Sequence, residues 1–128
     1  MSGAASSHPW PTEIRLAKDK RTLHVSFDDG SAFALPAELL RVLSPSAEVQ
    51  GHSEAERKTV GGKRNVMILA IDAVGNYAIR ISFDDMHSTG IYSWPFLHDT
   101  GRNADGLFRN YLDDLAAKGL DRDKPGMR

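Results

Sequence analysis

Apolar and polar residues alternate from Glu13 to Leu16, with Ile14 and Leu16 on one side and Glu13 and Arg15 on the other. That period predicts a half-buried strand. Leu23, Val25 and Phe27 alternate with His24 and Ser26 and predict a second strand. Asp28-Asp29-Gly30 is a hairpin signal, because glycine supplies the positive φ that the turn needs. Ser31 to Leu35 then returns as a third strand, with Phe33 and Leu35 on one face. Pro36 then starts a helix, since its missing N–H costs nothing in the first turn. Leu39, Leu40 and Leu43 share one face, Glu38 sits favourably near the N-terminus, and Ser44-Pro45 ends the helix.

Residues 46–64 are polar and rich in Gly, Glu and Lys, and read as a long loop. Within it, Gly61-Gly62-Lys63 lacks the spacing and the Ser/Thr of a phosphate-binding loop. The run Val66 to Val74 is apolar apart from Asp72, which predicts a central strand with both faces at least partly covered. Gly75-Asn76 marks a tight turn. Tyr77, Ile79, Ile81 and Phe83 then alternate with Ala78, Arg80 and Ser82, the cleanest period-two pattern in the chain. Gly90 to Ser93 predicts a short last strand stopped by Trp94-Pro95. A long helix follows, capped by Thr100 or Asn103, with Leu107, Phe108, Tyr111, Leu112 and Leu115 as its stripe and Gly119 just past its end.

Local hairpins with helices between and after them predict an α+β two-layer sandwich. Its sheet is mostly antiparallel, with a short helix and a long C-terminal helix packed on one face. Residues 1–11 read as a disordered leader, 12–119 as a single domain and 120–128 as a charged flexible tail.

The 128-residue length fits one domain, and the absence of cysteine excludes disulfides, thiolate metal sites and a thiol nucleophile. The net charge of -1 is spread along the chain without a basic stripe, which argues against nucleic acid as a partner. No apolar run is long enough to span a bilayer, and no signal-peptide pattern opens the chain. The chain therefore reads as soluble and cytoplasmic, with its oligomeric state open.

The densest candidate chemistry is Asp84, Asp85 and His87, just after a strand. Two carboxylates and an imidazole at this spacing could hold zinc or iron weakly, or form an acid–base pair. The plainer alternative is a polar turn with local hydrogen bonds. Tyr92 and Trp94 supply aromatic surface beside it, and His98 could face the same corner, so these three form a candidate recognition surface. Arg41 and Arg80 are candidate anion partners. No serine stands in a nucleophile-elbow setting, so no catalytic residue is assigned and no cofactor is expected.

Gly75-Asn76-Tyr77-Ala78-Ile79 and Phe83-Asp84-Asp85-Met86-His87-Ser88-Thr89-Gly90-Ile91-Tyr92-Ser93-Trp94 together resemble the gamma-butyrobetaine hydroxylase-like N-terminal domain, also called DUF971. Leu35-Pro36-Ala37-Glu38-Leu39-Leu40-Arg41 and Ser44-Pro45-Ser46-Ala47-Glu48-Val49 are similar to the first half of that family. In carnitine-pathway dioxygenases this domain precedes a separate iron and 2-oxoglutarate jelly roll, for which this chain is too short. The family's structural zinc there uses three cysteines and one histidine. His87 matches the histidine and the cysteines have no counterpart, so the resemblance implies a lost zinc site. Fusion of the domain to Mrp-type P-loop ATPases implies an accessory role in iron–sulfur or metalloprotein maturation. The expected function is thus a non-catalytic accessory or protein-interaction domain, with an Mrp-type ATPase or an oxygenase as partner. The alternatives are a metal-binding module at Asp84, Asp85 and His87, or a separate subunit of a 2-oxoglutarate oxygenase.

Overall fold

A computed structural model of the chain describes residues 9–45, 59–88 and 90–123. The first eight residues of the expected leader, most of the long loop (46–58) and the end of the tail (124–128) lie outside the described residues.

The first hairpins form as their alternation predicts. Strands β1 (Pro11–Leu16), β2 (Thr22–Phe27) and β3 (Ala32–Pro36) make an antiparallel sheet in that order. Leu23, Val25 and Phe27 all turn inward and are buried. Helix α1 (Ala37–Val42) starts directly from β3, with Pro36 as its N-cap residue. A second antiparallel sheet follows, β4 (Ile68–Val74), β5 (Ala78–Phe83) and β6 (Ile91–Ser93), again in chain order. The expected α+β class holds, with the sheet divided into two three-stranded halves.

Strand β4 departs from the expectation of a covered central strand. It lies at a sheet edge, and Leu69, Ala70, Asp72 and Ala73 are exposed. Apolar composition alone did not distinguish two covered faces from one. The central strand of this sheet is β5, whose Ile79, Ile81 and Phe83 are buried. Tyr77, read as part of the same face, precedes the strand and is exposed.

A second correction concerns Trp94-Pro95. Instead of only stopping β6, these residues open helix α2 (Trp94–Arg102). Ser93 caps it by accepting the Phe96 N–H at 3.3 Å, and Pro95 fits the first turn, where its missing donor has no intrahelical partner to lose. Helix α3 (Ala104–Ala117) follows and ends as predicted at Gly119, which has φ +70. There Leu120 N–H donates to Leu115 O and Gly119 N–H to Ala116 O, the paired bonds of a Schellman cap.

The core has two parts. The inner faces of both sheets meet in one cluster that includes Leu23, Val25, Ile68, Ile81, Phe83 and Tyr92. The second cluster joins Leu39 and Val42 of α1 to Tyr111 and Leu115 of α3. Helix α1 is the wedge between them, because Leu40 enters the first cluster and Leu39 the second. Burying each such leucine contributes on the order of 1.5–3 kcal/mol before entropy is counted. Among the described residues no helix is long and apolar enough to cross a membrane.

Candidate functional site

The site is the turn between β5 and β6. Phe83 N–H donates to His87 O at 2.9 Å and Met86 N–H to Phe83 O at 3.2 Å, which closes the turn tightly. Asp84 holds it to the residue just before β4: its N–H donates to Met67 O at 2.9 Å, and its Oδ1 accepts Met67 N–H at 3.1 Å.

Asp85 points into the molecule instead. Its Oδ2 accepts from Arg41 Nε at 2.7 Å and from Lys63 Nζ at 2.5 Å, and its Oδ1 accepts the His87 N–H at 3.1 Å. Burial pushes the Asp85 carboxyl up, but the hydrogen bonds from Lys63 and Arg41 outweigh it and hold the group below the usual carboxylate range. One buried nitrogen of the cation pair, Arg41 Nη1, makes no hydrogen bond with any described residue.

His87 faces a third direction. Its Nε2 lies 2.9 Å from Ser44 Oγ, and both residues are buried. Tyr92 is wholly buried beside them and donates its hydroxyl to Leu40 O at 2.6 Å. Burial pushes the Tyr92 phenol up, so it stays protonated and remains a donor. Gly90 lets this network close. A Cβ there would collide with Ser44 Oγ and lie 3.0 Å from the Tyr92 ring, tighter than most Cβ contacts.

These placements leave the metal reading without a converging set of ligands. Asp84, Asp85 and His87 are neighbours in sequence, but each aims at a different partner. Among the described residues no three His, Asp or Glu side chains converge to hold a metal ion. Nor do the residues present fit the zinc site of the dioxygenase relatives, since the chain has no cysteine and the His87 Nε2 is engaged by Ser44 inside the core. Asp85 reaches the backbone N–H of His87 rather than its ring, so the two do not form the expected acid–base pair with each other. Ser44 and His87 stand side by side, yet Ser44 is fully buried and out of reach of a substrate.

The aromatic surface is likewise taken apart. Tyr92 belongs to the core and presents no ring outward. Trp94 docks at the other end of β5, about 17 Å away along the strand. There its Nε1 donates to Asn76 O at 3.0 Å and its ring lies 6.5 Å from that of Trp10. His98 lies on α2 against the β2–β3 turn. Its Nε2 meets Asp29 Oδ2 at 2.9 Å, with the rings of Phe27 and Phe33 edge-on at 4.9 and 5.6 Å. The Ser31 hydroxyl and N–H, together with His98, hold the Asp29 carboxyl down at about 2.

Sequence reasoning missed four parts of the corner. The sequence offers Arg41 as a candidate anion partner, Lys63 as part of a glycine-rich loop and Ser44 as a helix stop. The fourth is Met86 at the tip of the turn. It is 89% exposed and has φ 75, a left-handed conformation that is uncommon for a residue with a side chain. Asp84 and Asp85, together with Lys63, Arg122 and Asp123, line a shallow depression of about 230 Å³.

The family model described as gamma-butyrobetaine hydroxylase-like, N-terminal, matches residues 14–98. None of the curated proteins matches the chain. Two NMR solution structures of proteins are similar along nearly the whole length. One is 38% identical, covering 94% of this chain and 95% of that one with a TM-score of 0.80. The other is 46% identical, covering 96% and 92% with a TM-score of 0.79. The crystal structure of a DUF971-family protein of unknown function from Acidithiobacillus ferrooxidans is 36% identical. It covers 68% of this chain and 86% of that one, with a TM-score of 0.57.

Proposed function

This chain belongs to the gamma-butyrobetaine hydroxylase-like, N-terminal family, and from that premise we propose that it is a non-catalytic protein-interaction domain. The β5–β6 turn is its recognition element. The observation that carries this reading is Met86, an exposed apolar side chain held at positive φ by a turn whose flanking carboxylates are fixed from behind. Left-handed backbone at a non-glycine residue costs on the order of 1–2 kcal/mol, and such outliers cluster at functional sites. A thioether on an unbranched chain adapts to an apolar pocket on a partner.

The accessory role in iron–sulfur or metalloprotein maturation rests on the family resemblance. With no thiolate in the chain, the metal would be held by the partner, an Mrp-type ATPase or an oxygenase, and this domain would dock on it. The metal-module alternative has the weaker support, because Asp84, Asp85 and His87 diverge. Titration with zinc should leave the NMR shifts of these three residues unchanged. Saturable shifts at all three would restore that reading.

A photo-crosslinking residue placed at position 86 tests the recognition element. It should capture one discrete protein in cells, whereas the same group at the exposed Leu112 on α3 should not. Equal labelling from both positions would overturn the proposal.

A further inference from the structure

We infer that the outer face of the second sheet is a self-association surface, on which Arg80 of one copy pairs with Asp72 of another. Cross-strand register places Asp72 of β4, Arg80 of β5 and Ile91 of β6 in one row, and Ala70 beside Ser82 in the next. Directly paired residues point to the same side of a sheet. The inner side is fixed by the buried Ile79 and Ile81, so these rows form the outer one. Asp72, Arg80, Ala70 and Ile91 are all exposed. The adjoining Ala78 is buried, which bounds the face at that end.

Asp72 and Arg80 are immediate neighbours of opposite charge, yet they make no ion pair with each other or with any described residue. Small neighbours such as Ala70 and Ser82 leave room for another backbone to approach. A two-fold axis parallel to the strands and running between β4 and β5 exchanges the positions of the two strands on the facing copy. That operation sets each Arg80 over the other copy's Asp72 and each Ser82 over the other copy's Ala70. The Arg80–Asp72 contact thereby occurs twice, as an isologous interface requires. Charge complementarity therefore selects a second copy of this chain as the occupant. The face is small, so the dimer is of the weak, salt-sensitive kind. It stands apart from the partner reading, because Met86 lies on the β5–β6 turn outside these rows.

Sedimentation velocity from low micromolar to millimolar protein tests the inference. The wild-type chain should shift from monomer toward dimer with concentration, and less so as salt is raised. Asp72→Arg and Arg80→Asp should each remain monomeric, and the double exchange D72R/R80D should recover the dimer. Should D72R fail to fold by near-ultraviolet circular dichroism, Asp72→Asn should still weaken association several-fold. A wild-type monomer at every concentration, or a dimer that survives both single charge reversals, would overturn it.

Discussion

Gly90 shows how little freedom the buried end of the site has. Its missing side chain is what lets Ser44, His87 and Tyr92 close into one hydrogen-bonded group. Both nearest neighbours are fully buried and cannot move aside. Gly90→Ala should therefore cost about 1–3 kcal/mol, read as a lower urea midpoint. Met86 poses the opposite case. Met86→Gly removes left-handed strain, so stability should hold or rise by up to about 1 kcal/mol while partner binding weakens. Acid stability follows from Asp29 and Asp85. Both folded-state carboxyls titrate below their ordinary value, so their contribution is full above that value and is lost as pH falls through the folded one. For Asp29 the window runs from 3.8 down to about 2. Thermal midpoints should drop across it, and Asp29→Asn should flatten that drop. A slope unchanged in the variant would remove Asp29 from the account.

Two elements are held by ion pairs that no local pattern announces. Glu38 on α1 is buried and accepts both Arg122 Nε and Nη2, at 2.8 and 2.6 Å. The same guanidinium lies 5.0 Å from the centre of the Phe108 ring on α3. The beginning of the expected flexible tail is thus fastened to α1 and α3 instead. Arg122→Ala leaves a buried carboxylate without its partner and should destabilise the fold by about 3–5 kcal/mol in chemical denaturation. A loss under 1 kcal/mol would mean that water replaces the guanidinium freely. At the same scale, legibility followed the range of the interaction. Strand β2 was readable because Leu23, Val25 and Phe27 declare their face by alternation alone. The Schellman end of α3 was readable because Gly119 follows the last apolar position. The start of α2 was also written locally, in Ser93 and Pro95, but proline after a short strand was read only as a stop. The links of Asp85 to Arg41 and to Lys63 join residues 44 and 22 positions apart, and periodicity carries no information across such distances.

Across the whole molecule, α1 ties two cores together, one between the sheets and one against α3. The α+β class and the family were legible, because hairpin signals and the run from Phe83 to Trp94 are local. The site was legible as a place and misread as chemistry. Adjacent polar letters suggested converging ligands, whereas the turn sends Asp84 to Met67, Asp85 to Arg41 and Lys63, and His87 to Ser44. Among the described residues of the turn, that leaves Met86 as the large apolar group offered outward. The most direct test is the affinity of the partner captured at position 86 for Met86→Asp against wild type, by isothermal titration. Because the side chain is 89% exposed, the substitution should leave the thermal midpoint in place. At least a tenfold loss of affinity is expected, or about 1.4 kcal/mol. Affinity equal to wild type in a folded Met86→Asp chain would contradict it.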